Sequence, residues 1–231
     1  MKNTNIKPIS VKALSLLIVT MIAFSCTFLS GCGSTSSSSS SSSSKSETKK
    51  STETTVASED TTVSIPDNAI TAVIDIKDYG KITVALFPDD APITVQNFVK
   101  LAKEGFYDGL TFHRIINGFM MQGGDPLGNG SGGSDENIKG EFSSNGVENN
   151  LSHTRGAISM ARSQANDSAS SQFFIVQKDS TYLDGQYAAF GYVTDGMDIV
   201  DEICQNTPVS DSNGTVQKAN QPVINSVTIE E

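Results

Sequence analysis

The spacing of apolar and polar residues changes several times along this chain, and each change predicts an element. Residues 70–76 are rich in β-branched side chains, and residues 81–87 alternate. Asp78-Tyr79-Gly80 between them carries a turn signal, so the two runs predict a hairpin. Asp89-Asp90-Ala91-Pro92 opens a helix, with acids and a proline at its start. Val95, Phe98, Val99 and Ala102 recur at helical spacing, and Gly105 ends it. Short β-like runs follow at 111–116, 119–122, 157–161, 172–176 and 189–193, separated by Gly, Asn and Asp. Residues 197–204 predict a second helix and 223–229 a last alternating strand. Many short strands with two helices predict a mainly β fold, an antiparallel barrel or sandwich. Closure is favoured, because so many strands would otherwise expose edges. The Gly-rich stretch 123–144 is too polar for a core and is expected to run over the surface near a site.

The first 65 residues follow no such pattern. Lys2, Lys7 and Lys12 precede an apolar run, 13–29, as in a secretory signal. That run is short for a membrane span. It ends in Leu29-Ser30-Gly31-Cys32, which resembles the lipobox of bacterial lipoprotein precursors. The expectation is a signal peptide at 1–31, removed to leave Cys32 as a lipidated N-terminus. Lipidation of this kind supplies more than one acyl chain, as stable anchoring requires. Residues 33–65 are Ser/Thr-rich and hold almost no large apolar side chain, so they cannot bury a core. They read as a flexible tether, spanning roughly 30 Å as a random coil. The expected location is the cell membrane, anchored by lipid on its extracytoplasmic face.

The remaining domain, 66–231, has seven lysines and three arginines against 22 acids, a formal charge of −12. That balance argues against nucleic acid and against adhesion to anionic lipid. Once Cys26 leaves with the signal and Cys32 is lipidated, Cys204 stands alone, so no intrachain disulfide is expected. It follows Ile199, Val200 and Ile203 at helical spacing and reads as core. Two histidines and no ligand cluster predict no metal and no cofactor.

Residues 112–125, FHRIINGFMMQGGD, set one arginine among large apolar side chains. A buried cation is expensive unless something pairs with it, so Arg114 must face a partner or a ligand surface. By pattern alone Arg114 would more often be a surface ion pair, and Phe119, Met120 and Phe174 core. The stretch resembles the signature of cyclophilins, the peptidyl-prolyl cis-trans isomerases. Ile158-Ser159-Met160-Ala161-Arg162, Ser171-Gln172-Phe173-Phe174-Ile175, Leu183-Asp184-Gly185 and Phe190-Gly191 follow in cyclophilin order, over about residues 68–230. Met160-Ala161-Arg162 and Tyr187 look like the bacterial branch. The resemblance implies a closed antiparallel eight-stranded β-barrel capped by two α-helices, and a monomer is expected.

The chemistry can be argued from the reaction. A prolyl amide isomerises slowly because its C–N bond has partial double-bond character, with a barrier of about 20 kcal/mol. No bond is made or broken, so a catalyst needs only to bind the twisted amide better than either planar form. In the twisted state the prolyl nitrogen regains a lone pair, and a fixed, always-charged donor aimed at it stabilises that state alone. The resemblance makes Arg114 that donor, with Phe119 and Gln122 in the catalytic group. Met120, Phe174 and Leu183 complete the proline slot with Phe119, and Gln122 holds the substrate backbone. Ala161 and Arg162 flank the extended peptide; Gln172, His113, Tyr182 and Tyr187 form the rim. His153 reads as structural, and Asp125 and Asp184 as turn residues. A Ser/His/Asp hydrolase reading of His113 fails for lack of a Gly-x-Ser-x-Gly elbow.

The expected partners are proline-containing peptides and unfolded exported proteins. A proline-peptide holdase or receptor with incidental turnover is the alternative; a mere structural spacer leaves the motifs unexplained. Three positions depart from common family patterns. Tyr182 stands where a Trp is frequent, Tyr187 where a His is, and Arg162 where eukaryotic members have Asn. Cyclophilins bind the cyclic peptide cyclosporin in the same groove, and without the rim indole weak binding is expected.

Overall fold

The computed structural model describes residues 63–230. The predicted signal peptide, Cys32 and the tether as far as residue 62 lie outside the described residues. Ten regular elements occur in order: β1 Ile70–Ile76, β2 Gly80–Leu86, α1 Pro92–Lys103, β3 Thr111–Ile116, β4 Met120–Asp125, β5 Ala157–Met160, β6 Phe173–Val176, β7 Ala189–Asp195, α2 Met197–Asn206 and β8 Ile224–Glu230. Each lies within a few residues of its predicted position. The strands form one antiparallel sheet in the order β3-β4-β6-β5-β7-β2-β1-β8.

Alternation sorts strand side chains between two apolar clusters, one on each face. On one face Ile74, Ile82, Phe112, Ile115, Met121, Ile158 and Ile175 join Phe98 of α1 and Val200 of α2 in the main core. Its centre is aromatic: the Phe98 ring lies 5.1–5.5 Å from the rings of Tyr107, Phe173 and Phe190. The two glycines after Gln122 are there for space. A Cβ on Gly123 would press on the Phe112 ring at 2.9 Å, and Gly124, at φ +80°, backs directly on the Ser171 carbonyl. On the opposite face Met120, Ala157, Phe174, Val176 and Tyr192 form a second cluster, which Val63 also touches.

Where the sequence predicts a fully closed barrel, β3 and β8 meet only at one corner. Thr111 bridges Val223, and the Phe112 N–H donates to the Pro222 carbonyl at 3.0 Å. Beyond that corner, residues 213–216 take over the free edge of β3. The Ile115 N–H donates to Gly214 and the Val216 N–H to His113, at 2.8 and 2.9 Å. The edge is satisfied by a loop instead of a strand.

Two local expectations are also corrected. Asp89 and Asp90 lie outside the first turn of α1, whose cap residue Ala91 offers no side-chain acceptor. Glu141 supplies it from 47 residues away: its two oxygens accept the N–H groups of Ile93 (3.0 Å) and Thr94 (2.7 Å). This satisfies two orphan donors and sets a carboxylate at the positive end of the helix. Glu141 and Phe142 are both buried, so the Gly-rich stretch does not stay on the surface. Cys204 is buried in the main core as predicted, and burial pushes its thiol up to about 12, leaving it inert at neutral pH.

Candidate active site

The site begins with one extra residue in β3. Phe112 lies opposite Gly123 and Arg114 opposite Gln122, so two residues advance on β3 for one on β4. His113 is the bulged residue. In a regular strand Arg114 would share the face of Phe112 and enter the main core. The bulge reverses the alternation: Phe112 and Ile115 enter the core, whereas Arg114 and Ile116 turn to the other face.

There Arg114 is half-buried and held on two of its nitrogens. Nε donates to the Asn213 carbonyl at 2.9 Å; Nη1 donates to Gln122 Oε1 at 3.2 Å and approaches Met120 Sδ at 3.9 Å. Nη2 has no protein partner among the described residues. Burial lowers the Arg114 pKa, against the opposing pull of Tyr187, Tyr182 and Asp211. Arginine starts so far above neutrality that it stays charged. A chain of amides extends from it. Gln122 Nε2 donates to Gln172 Oε1 at 2.9 Å, and Gln172 Nε2 donates to the Gly132 carbonyl at 2.7 Å. Because Arg114 can only donate, each amide in the chain has one permitted orientation.

Beside the guanidinium lies the apolar slot. Met120 and Phe174 are buried, and Phe119, Leu183 and Tyr187 are half-buried, all in the second cluster. Phe174 and Tyr187 meet edge to face at 6.0 Å. Tyr182 stands at the rim, 65% exposed, its ring 6.0 Å from that of Phe119. Ala161 and Gln172 border an adjoining hollow of about 370 Å³ that the Gly130–Ser134 loop completes.

Two predicted site residues sit differently from expectation. His113, expected at the rim, is 4% exposed, and neither ring nitrogen has a partner among the described residues. Arg162 lines the hollow beside Ala161, but its guanidinium is committed to the protein. It donates twice to the Gln186 carbonyl (3.0 and 2.9 Å) and lies over the rings of Phe142 (5.0 Å) and Tyr187 (4.8 Å).

A supporting layer lies behind the slot. His153 is fully buried and stacks on the back of Phe174, with ring centroids 6.0 Å apart and planes 16° apart. Its Nδ1 lies 2.8 Å from Asp184 Oδ1 and its Nε2 2.9 Å from Ser159 Oγ. Burial would raise the Asp184 carboxyl, but hydrogen bonds from Ser152 and His153 hold it below the usual range. The carboxylate therefore accepts from Nδ1–H, and Nε2 accepts from the Ser159 hydroxyl. Asp184 adjoins Leu183, so this pair ties the slot's outer wall to its floor.

An outward-facing arginine, a braced amide chain and an apolar slot on a curled eight-stranded antiparallel sheet with two helices define the class of protein. Residues 71–231 match the family model "Cyclophilin type peptidyl-prolyl cis-trans isomerase/CLD". The chain belongs to the cyclophilin family of peptidyl-prolyl cis-trans isomerases. It is 47% identical over 140 residues to a peptidyl-prolyl cis-trans isomerase of Helicobacter pylori (strain J99), a match covering 59% of this chain and 83% of that one. It is 47% identical over 143 residues to peptidyl-prolyl cis-trans isomerase B of Bacillus subtilis (strain 168), covering 62% and 91%. A crystal structure of a Cryptosporidium parvum cyclophilin type isomerase, in the presence of the dipeptide Ala-Pro, superposes with a TM-score of 0.61 at 30% identity, covering 70% of this chain and 99% of that one. The protein is thus an enzyme that isomerises X-Pro bonds.

The two imidazoles have a consequence for stability. Burial lowers the pKa of both His113 and His153, outweighing the raising effects of Asp125 and Asp184. As pH falls through the ordinary value near 6.5, the unfolded chain takes up protons that the folded chain refuses. Their contribution is therefore complete above that value and lost below it, at up to about 1.4 kcal/mol per pH unit per histidine. Urea unfolding of the full-length chain between pH 8 and 5 should show this fall, and His113→Gln should remove about half of the slope. An unchanged slope in the variant would show that His113 does not titrate with folding.

Proposed function

We propose that Arg114 donates from Nη2 to the prolyl nitrogen as the amide twists. Phe119, Met120, Phe174 and Leu183 hold the proline ring, and Gln122 holds the neighbouring substrate backbone. The observation that carries this reading is the guanidinium fixed at Nε and Nη1 with Nη2 open, beside an apolar slot. A donor fixed before the reaction needs no reorganisation as the lone pair develops. The Ala-Pro dipeptide named with the Cryptosporidium relative suits such a slot. Arg114→Ala should lower kcat/KM by about 10²-fold or more, in line with losing one preorganised donor, while calorimetry finds peptide affinity largely retained. Turnover close to wild type would remove Arg114 from the mechanism. Parallel loss of binding and turnover would favour the holdase reading.

The same reading makes Tyr182 the determinant of inhibitor response. Its ring is exposed at the rim, and a phenol carries its polar group at the ring tip, so it cannot copy an indole N–H. Losing one hydrogen bond and part of an aromatic contact weakens cyclosporin binding by about 10- to 100-fold. Tyr182→Trp should tighten it with little change in turnover, and equal affinities by calorimetry would clear this position of the effect.

We further propose that the enzyme works on exported proteins at the extracytoplasmic face of the cell membrane, held through lipid on Cys32. The support is the basic and apolar leader, the lipobox and the Ser-rich tether before the domain. Cys32→Ser should release the protein or leave uncleaved precursor. A processed, lipid-labelled variant still in the membrane fraction would overturn the anchor.

A further inference from the structure

A second hollow, of about 560 Å³, opens on another side of Arg114. Arg114 and Gln122 form one wall, and none of the slot residues contributes. The loop 127–130, Thr215, Lys218 and Gln221 enclose the rest. His113 lines it too, and neither of its ring nitrogens has a partner among the described residues. A Cβ built on Gly130, a residue of the wall, would lie 3.6 Å from His113 Nε2, so that edge of the imidazole faces the wall. A buried ring with both nitrogens unpaired is rare and costs stability, and a ligand that pairs with it recovers the loss.

The charge of this hollow is opposite to that of the molecule. Its lining includes Arg114 and Lys218 and no carboxylate, in a chain of net charge −10. Another hollow, of about 1010 Å³, is by contrast lined by Asp179, Asp195, Asp198 and Asp201 together with Arg155 and Lys178. Lys218 has no ion-pair partner among the described residues. Its Nζ rests against Gly128, 2.9 Å from where a Cβ there would stand. The nearby acids are already engaged. Asp125 accepts the N–H groups of Leu127, Asn129 and Gly130, and Asp211 those of Asn213 and Thr215.

We infer that this hollow is a subsite for an acidic side chain, an Asp or Glu of the substrate chain close to the isomerised proline. Its carboxylate accepts from the Lys218 ammonium and from the N–H of the neutral His113 imidazole. The inference rests on the isomerase site described above, since Arg114 and Gln122 are common to both. Glutamine has the same reach as glutamate without the charge, which makes it the control.

Proline peptides carrying Glu, Gln or Ala at each of three positions on either side of the proline are assayed with the full-length chain. The expected result is a position at which Glu lowers KM by roughly 3- to 10-fold relative to Gln, an advantage that shrinks as salt is added. Lys218→Met should bring that ratio close to one. The chain has two histidines, so His113→Gln assigns the imidazole ¹⁵N resonances, and those of His113 should move with the Glu peptide and not with its Gln twin. Turnover of the Ala peptide with equal KM for Glu and Gln at every position overturns the subsite and leaves the isomerase site standing. A Glu preference that survives Lys218→Met with the His113 resonances unmoved also overturns it. No turnover of any peptide overturns the isomerase reading itself.

Discussion

One extra residue in β3 decides which way Arg114 points. Without the bulge at His113 the guanidinium would follow Phe112 into a core of aromatic and aliphatic side chains, where an unpaired cation costs several kcal/mol. With it, Arg114 reaches the opposite face and finds the Asn213 carbonyl, Gln122 and Met120. The same segment that supplies the Asn213 carbonyl covers the free edge of β3. Incomplete closure of the barrel and the fixed direction of the arginine are therefore linked. A β8 ladder along all of β3 would seal the edge and displace the loop that holds Nε.

Fixing a direction takes more than one hydrogen bond. Arg114 orients Gln122, Gln122 orients Gln172, and Gln172 ends on the backbone carbonyls of the Gly130–Ser134 loop. On the apolar side Phe174 cannot recede, because His153 lies flat behind it and is itself held by Asp184 and Ser159. The guanidinium and the slot are each braced by hydrogen bonds and ring contacts within the protein. That is what catalysis by preorganisation requires when no bond is broken.

Local pattern revealed the strands and helices, because alternation and helical spacing are imposed by each element's own burial. It placed β1, β3 and the start of α2 to the residue and the other boundaries to within a few. Features created by distant parts of the chain were not legible. The cap of α1 is Glu141, which no window around Pro92 contains. The bulge leaves no mark in FHRII, where His113 reads as an ordinary rim position. Arg162 reads as a second cation beside the site, yet the Gln186 carbonyl and the Tyr187 ring, more than 20 residues on, and the Phe142 ring, 20 residues earlier, claim it. His153 was rightly read as structural, but its contact with Phe174 depends on β5 and β6 lying side by side. The candidate site residues rest on the family resemblance, since apolar side chains on strands read equally well as core.

Catalysis and stability respond to acid through different groups. The proposed donor is an arginine, whose charge does not change in any range the protein meets. The orientation of His153 is set by an Asp184 carboxylate that stays ionised well below neutrality. Protonating His153 adds a proton at Nε2, where the Ser159 hydroxyl can turn from donor to acceptor without moving the ring. The slot therefore keeps its shape in either state, and the free energy of that protonation appears in the folding equilibrium. His113 behaves differently, because among the described residues no hydroxyl or carboxylate pairs with either ring nitrogen to receive its second proton. If the proposed arginine is the donor, acid weakens the fold before it alters the chemistry of the folded enzyme.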